Sequence, residues 1–331
     1  MRKLIFLLVF LTFLLAISWN SAVLAQEEVQ QVLVLSLEGP LTPSWIEYIE
    51  RGIQVAEQRR SEAIILGINT PGGSISLMQE IVEKIRGSQV PIIVYVTPRG
   101  AMAASAGTVI TLAGHAAAMA PETIIGAASP VGAQGEDLGE TIAAKEKNAL
   151  KAQVRTLAGN RSQEAITLAE STIEDAIAVS ANEALDVGLV DFIARDVHDL
   201  LSQLDGYHVE MDAGIIELKT ANAELSIMEL SFIEEILSVL TNPNIVFVLL
   251  TIGVQAILIE ISSPGGWVAG FIGVVCLSLA VYGLGVLPVN WFGLIFLATA
   301  FVLFVLDIKA PTHGALTAAG VVSLIVGALV L

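Results

Sequence analysis

Short, fully apolar runs alternate along the first third of the chain with segments whose apolar residues recur every three or four positions. The runs at residues 32–37, 63–68 and 91–96 are rich in Val, Ile and Leu with almost no polar alternation, the pattern of strands buried on both faces of a sheet. Between the first two, Ile46, Ile49, Ile53 and Ala56 fall at helical spacing behind the start signal Thr42 and Pro43. Between the second and third, Met78, Ile81, Val82 and Ile85 do the same. Apolar strands alternating with amphipathic helices predict parallel β-α-β units and an α/β domain.

The pattern continues less clearly downstream. A run of small residues around Ser105 is expected to open a helix reaching about Ala113, with extended chain resuming over 115–120 and a longer helix over 141–158. Residues 163–170 and 173–179 read as two further elements. Ser180 with Glu183 three residues on forms a capping box, and Gly188 is expected to end that helix before a short strand at 189–194. Weak alternation over 207–230 suggests a connecting β-rich segment, and 232–240 an amphipathic helix leading towards a membrane.

Four apolar stretches close the chain, near 245–261, 267–287, 291–306 and 314–331. Each approaches the roughly 20 residues needed to cross a bilayer, and so few polar residues remain that a water-facing bundle is disfavoured. If the charged domain lies outside, four spans place Lys309 inside, in agreement with the positive-inside tendency. At the other end, basic Arg2 and Lys3, an apolar stretch to Ser18 and small residues before Gln26 read as a secretory signal cut after Ala25. The competing reading is an uncleaved anchor helix. Either way, the charged domain is expected on the extracytoplasmic side.

The formal net charge of −17, from 33 acidic and 16 basic residues, lies almost entirely between residues 26 and 235. An acidic surface of this kind disfavours nucleic acid and anionic lipid headgroups as partners. The one cysteine, Cys276, sits in an apolar run. An intrachain disulfide and a cysteine-based metal site are therefore both ruled out.

Candidate chemistry lies in three places. Ser105 stands in Gly-Ala-Met-Ala-Ala-Ser-Ala-Gly at residues 100–107, shortly after Asn-Thr-Pro-Gly-Gly at 69–73. A serine hydroxyl needs a base to become a nucleophile, and none of the four histidines is well placed. His313 lies in a membrane loop, His198 and His208 near the end of the charged domain, and His115 at the far end of the helix after Ser105. A lysine can serve when desolvation keeps its amine neutral. Lys145, Lys147 and Lys151 share the next long helix, where Lys145 and Lys147 point to different faces; a solvated charged face is the simpler reading. Gly72 and Gly73, after a strand and before a helix, leave backbone N–H groups near the carboxyl edge of the sheet. With the N–H of Ala106 they can hold an oxyanion, although a tight turn would need the same glycines.

Taken in order, residues 69–73, 100–107 and 180–191 resemble the Clp-protease/crotonase superfamily, and specifically its membrane-bound branch, the long-form NfeD proteins, which are similar to signal peptide peptidase A. The resemblance covers about residue 32 to 331, including the four-span segment. It implies a ClpP/crotonase-like fold and a serine endopeptidase with a Ser-Lys dyad. Ser105 matches the nucleophile and Lys145 the base, ahead of Lys147 or Lys151, and Gly73 and Ala106 match the oxyanion hole. Gly72 and Gly73 would bind substrate backbone.

Where the soluble Clp protease carries its histidine and aspartate, this chain has Ala128 and Ala176, which favours the dyad. Long-form members commonly end in a small OB-like β-barrel, whereas this chain stops at Leu331, as a short variant or a truncated product.

The expected organisation is a signal peptide (1–25), a protease domain (29–205), a linker with an amphipathic helix (206–243) and a four-span domain (244–331). No cofactor or metal is expected. The implied partners are a stomatin/prohibitin-like membrane protein, the lipid bilayer and further copies of the chain in a homodimer or larger homo-oligomer. A membrane scaffold that does not cleave its partner is the competing function. A crotonase-type acyl-CoA enzyme is disfavoured by the exported location and the lack of a basic phosphate-binding cluster.

Overall fold

A computed structural model describes residues 30–132, 135–262, 267–286, 290–309 and 312–330. The expected signal sequence falls outside the described residues. The first β-α-β units are as expected: β1 (Gln31–Glu38), α1 (Pro43–Arg59), β2 (Ala63–Asn69), α2 (Ile75–Gly87) and β3 (Ile92–Val96). Then come β4 (Met102–Ala104), α3 (Ala106–Ala113), β5 (Ala116–Met119) and β6 (Ile124–Gly126). The domain continues with α4 (Glu140–Leu157), α5 (Gln163–Glu174), β7 (Ala178–Ser180), α6 (Ala181–Asp186), β8 (Phe192–Ile193) and α7 (Val197–Leu204). The hairpin β9 (His208–Met211) and β10 (Gly214–Glu217), then β11 (Glu224–Ile227) and α8 (Phe232–Leu240), lead to the apolar segment.

The main sheet has the order β11-β1-β2-β3-β5-β8 and is parallel throughout. Alternate residues of each strand enter opposite cores, as the two-residue period of a strand requires. Leu33, Leu35, Ile64, Leu66, Ile68, Val94 and Val96 pack with α1, α2 and α3 on one face. Val34, Ile65, Ile93 and Tyr95 pack with Leu200, Leu201 and Leu204 of α7 on the other. Burial on both faces is why the runs lack polar alternation. Each fully buried aliphatic side chain contributes roughly 1.5–3 kcal/mol before entropy is counted.

Three strands of three residues each form a second sheet, β4-β6-β7, with β4 parallel to β6 and β6 antiparallel to β7. Sequence periodicity does not reveal elements this short. Other details also differ from expectation. Residues 163–174 form one continuous helix, because the capping hydroxyl of Ser162 and the buried Ala165, Ala169, Thr172 and Ile173 keep one face inward to its end. The strand expected at 189–194 shrinks to two residues. The capping box of Ser180 and Glu183 is present, and Gly188 takes a left-handed φ of 78° after the helix.

The segment 206–243 holds the β-rich connection and the helix expected of it. Its strand β11 pairs with β1, Gln31 opposite Glu224 through Val34 opposite Ile227. Helix α8 is clamped on α1 by a two-pronged contact in which Arg51 Nε and Nη2 donate to the Glu234 carboxylate at 2.8 and 2.6 Å. The Tyr48 hydroxyl donates to the Met228 carbonyl. Burial alone would raise the Glu234 carboxyl, but hydrogen bonds from Arg51 and Ser231 outweigh it and the net shift is downward.

Four apolar helices follow: α9 (Pro243–Ser262), α10 (Val268–Val286), α11 (Trp291–Lys309) and α12 (Ala315–Val330). They pack as two hairpins, α9 on α10 and α11 on α12. Glycines permit the close approach: a Cβ on Gly253 would stand 2.8 Å from Leu277 Cγ, and one on Gly320 would stand 2.5 Å from the Phe304 ring. Four spans were expected. By length and composition, Pro243–Ser262 and Val268–Gly285 are sufficient to cross a membrane, whereas the apolar parts of the last two, Phe292–Ile308 and Ala315–Val330, are shorter.

Arg51→Ala leaves the Glu234 charge buried without its partner and should lower stability by about 1–3 kcal/mol at neutral pH. A carboxylate held below its ordinary pKa stabilises the fold above that ordinary value, near 4.3, and the contribution is lost as pH falls through the folded-state value. Thermal unfolding in detergent should show the gap between wild type and variant closing in acid.

Candidate active site

The helix expected to open at the small-residue run spans Ala106–Ala113, and Ser105 stands at its N-cap, the junction between β4 and α3. Its φ of 53° and ψ of −120° lie outside the regions that L-residues ordinarily occupy, at a cost of order 1–3 kcal/mol that the surroundings must sustain. They do so through several hydrogen bonds. The Ser105 N–H donates to the Gly126 carbonyl at 2.9 Å, and the Ser105 carbonyl accepts from the Thr108 N–H at 3.0 Å. The buried Thr108 hydroxyl lies 2.9 Å from the Ala103 carbonyl and 3.0 Å from that of Gly126, and accepts from the Gly126 N–H. A strand–serine–helix turn of this kind presents the side chain at the mouth of a helix N-terminus, and Ser105 is half-exposed there.

The β2–α2 turn lies directly against this junction. Gly72 has a φ of 109°, and a Cβ placed on it would stand 2.6 Å from Ser105 Cβ and 3.1 Å from Ser105 Oγ. Only a residue without a side chain allows this approach. The buried Thr70 shapes the turn, its hydroxyl accepting from the Gly72 N–H at 3.0 Å, while its backbone bridges to β4 through the Met102 carbonyl and the Ala104 N–H. Leu41 holds the outer side, donating its N–H to the Gly72 carbonyl at 2.9 Å and packing on Gly73. Among the described residues the N–H groups of Gly73 and Ala106 have no hydrogen-bond acceptor. Ala106 opens α3, where the first N–H groups lack intrahelical partners. Thr70 and Thr108 were not singled out from sequence, although a threonine two residues before a glycine in a turn is a recognisable hydroxyl-turn signal.

The three lysines of α4 separate clearly. Lys147 Nζ donates to the Glu174 carbonyl at 2.5 Å, and Lys151 Nζ pairs with the Glu174 carboxylate at 2.5 Å. The bond from Lys151 is the main reason the Glu174 carboxyl titrates below its ordinary range, with Lys147 adding to it. Lys145 is exposed and makes no hydrogen bond or ion pair among the described residues. The folded chain thus brings Gly72, Gly73, Ala106 and Ser105 together without joining Lys145 to Ser105 by a hydrogen bond.

Around Ala128, one of the two positions compared above with the soluble Clp protease, the chain is tied to the end of α5 and the residues after it. The Ala128 N–H donates to the Thr172 carbonyl, the Ala127 N–H to that of Ile177, and the Ser129 hydroxyl to that of Ile173. His115 lies at the opposite edge of the sheet, before β5, where its Nδ1 accepts from the Ile92 N–H at 3.0 Å. Burial, aided by the Arg86 charge, lowers its pKa to about 4. Met102 and Ile124 of the second sheet and Ile177, just before β7, are exposed. Among the described residues no group of three or more His, Cys, Asp or Glu is placed to hold a metal ion.

A parallel α/β domain with a serine at a strained strand–helix junction, followed by paired apolar helices, defines a membrane-associated α/β protein. Residues 31–214 match the NfeD1b N-terminal domain, and residues 244–331 match the NfeD integral membrane domain. The chain belongs to the NfeD family. It is 35% identical over 304 residues to Membrane-bound protease PH1510 of Pyrococcus horikoshii, covering 91% of this chain and 68% of that one. It is 29% identical over 287 residues to Membrane protein NfeD1b of Bacillus subtilis, covering 83% of this chain and 60% of that one.

Among solved structures, it resembles a lysine-to-alanine variant of the 1510-N membrane-bound stomatin-specific protease in complex with a substrate peptide. The identity is 34%, the TM-score 0.58, and the match covers 63% of this chain and 96% of that one. A serine-to-alanine variant of the same protease matches with 34% identity and a TM-score of 0.56, covering 61% of this chain and 99% of that one.

Two outcomes follow from the local geometry. Gly72→Ala forces a side chain into a left-handed position and into Ser105, and should cost about 1–3 kcal/mol in thermal unfolding. His115, held neutral in the fold, stabilises above its unfolded pKa near 6.5, and this contribution is lost as pH falls towards about 4. His115→Asn keeps an acceptor for the Ile92 N–H without a titrating group, and should flatten the stability loss of up to about 3 kcal/mol over that window.

Proposed function

We propose that the chain is a membrane-anchored serine endopeptidase. The observation that carries this reading is the strained backbone of Ser105, held against the side-chain-free turn at Gly72. In this reading Ser105 Oγ attacks the carbonyl carbon of a peptide bond as Lys145 Nζ takes its proton. The N–H groups of Gly73 and Ala106 receive the negative oxygen, and the protonated lysine then gives its proton to the leaving amine. Water, losing a proton to the same amine, attacks the acyl carbon, and that proton passes to Ser105 Oγ as the acyl–oxygen bond breaks. Gly72 and Gly73 present backbone to an extended substrate strand. No cofactor or metal enters these steps.

Two findings support the pairing of residues. Lys147 and Lys151 are engaged with Glu174, which leaves Lys145 available on α4, and the related 1510-N protease was solved with a serine and with a lysine exchanged for alanine. A lysine works as a base only when water is excluded from its amine. Lys145 is exposed in the single chain, so the reading requires a bound substrate or a second subunit of a homodimer or larger oligomer to cover it. The exposed Met102 and Ile124 of the second sheet, whose strand β4 leads into Ser105, favour apolar substrate segments. The relatives' stomatin-specific activity makes an apolar stretch of a stomatin/prohibitin-like membrane protein the substrate of choice. The protease domain, at residues 29–205, is assigned to the extracytoplasmic side of a multi-pass membrane anchor.

The exposure of Lys145 also supports a second reading, a scaffold that binds a stomatin-like protein without cleaving it. The readings part in one experiment on the purified full chain, using an apolar peptide from a stomatin-like protein and a fluorophosphonate probe. The protease reading expects cleavage and labelling, loss of both in Ser105→Ala, and a fall in kcat of about 100-fold or more in Lys145→Ala. Cleavage surviving in Ser105→Ala would defeat the mechanism. Full activity in Lys145→Ala with loss in Lys147→Ala would move the base to Lys147. Peptide binding without turnover by wild type supports the scaffold.

A further inference from the structure

Helix α8 has two faces of opposite character. Ser231 caps it and Glu234 completes the capping box, while the Glu234 side chain, 6% exposed, turns onto Arg51 of the α/β domain. At its far end Leu240 is buried against α10, its carbonyl 2.5 Å from where a Cβ on Gly283 would stand. The helix is therefore fastened at once to the domain and to the apolar hairpin. Its remaining face is apolar and uncovered: Phe232 is 76% exposed, Ile233 69%, and Ile236 and Val239 are also exposed. At about 100° per residue, Phe232, Ile236 and Val239 fall within roughly 60° of one another, on the side opposite Glu234. Ile227 and Leu230, shortly before the helix, are also exposed.

Position in the chain decides what covers this face. Only Thr241 and Asn242 separate α8 from α9, and α9 opens the segment matching the NfeD integral membrane domain. Two residues reach at most about 7 Å, so the end of α8 cannot leave the neighbourhood of the bilayer surface. Its uncovered face is continuous along the chain with the apolar exterior of the membrane helices. No lysine or arginine occurs between Lys219 and Lys309, which leaves apolar insertion as the means of attachment.

We propose that α8 lies in the lipid–water boundary, with Phe232, Ile233, Ile236 and Val239 in the acyl region, as an interfacial helix that holds the α/β domain against the bilayer. The occupant of the face is lipid. Attachment is independent of headgroup charge and of salt, because it rests on apolar burial and not on basic residues.

The full chain in a Cys276→Ser background tests this, with single cysteines at Phe232, Ile236 or Val239 and an exposed reference at Glu164, each carrying an environment-sensitive fluorophore. In phosphatidylcholine vesicles, nitroxide on the acyl chains should quench the three α8 labels and leave the reference bright. Aqueous iodide should quench the reference several-fold more strongly than the α8 labels. The pattern should persist at high salt and in nanodiscs holding a single chain. Equal iodide quenching at all sites would overturn the proposal, as would lipid quenching that appears only when phosphatidylglycerol is added. Shielding lost in single-chain nanodiscs would assign the face to a second copy instead. Three α8 positions keep the test available if one label prevents folding, and none of the readouts depends on the chemistry of Ser105.

Discussion

The central strands of the main sheet are dry on both faces, and the remaining architecture follows from that. Strands β2 and β3 have no water-facing side: alternate residues pass into the core under α1, α2 and α3 or into the one under α7. Polar groups can therefore gather only where the strands end. The turn after β2 and the junction before α3 meet there, with Thr70 bridging to β4. Strain at Ser105 persists because a packed sheet on one side and Thr108 on the other leave the chain no relaxed alternative. Groups elsewhere on this surface would lack such a frame.

Much of this was legible in the amino-acid order, and the failures have identifiable physical causes. Long, strongly patterned elements such as α1, β2 and α2 emerged within a residue or so of their expected ends, since their burial depends on periodicity alone. The Ser180 and Glu183 cap and the Gly188 terminator were readable because they are local chemistry. The β4-β6-β7 sheet was not, because three-residue strands carry no period and owe their pairing to distant partners. The resemblance of residues 69–73 and 100–107 to a family identified the turn and the serine. It did not reveal that Gly72 is needed for contact with Ser105, or that Thr70 and Thr108 hold both loops in place. Which lysine is available depends on Glu174, which no spacing rule connects to α4.

The two halves of the molecule divide the work between solvents. Acidic charge is concentrated on the α/β domain, while the last 88 residues, which match the integral membrane domain, contain almost none. Between them the chain uses a carboxylate inwardly, where Glu234 meets Arg51. A paired and hydrogen-bonded charge can sit close to an apolar region at low cost, whereas an unpaired one would be expelled from it.

The pairing of β11 with β1 also has a consequence for how the protein is made. Strand β1 is among the first structured parts to be synthesised, and one side of it stays open until residues 224–227 arrive from far along the chain. Contacts so remote in sequence form slowly, and an open strand edge invites association with other chains. Only the nine-residue helix α8 and short joins separate β11 from α9. Closure of the sheet and synthesis of α9 are therefore nearly simultaneous events. A nascent domain released before that point would retain a sticky edge, so the fold of this domain is complete only when the chain has been made to the threshold of its apolar segment.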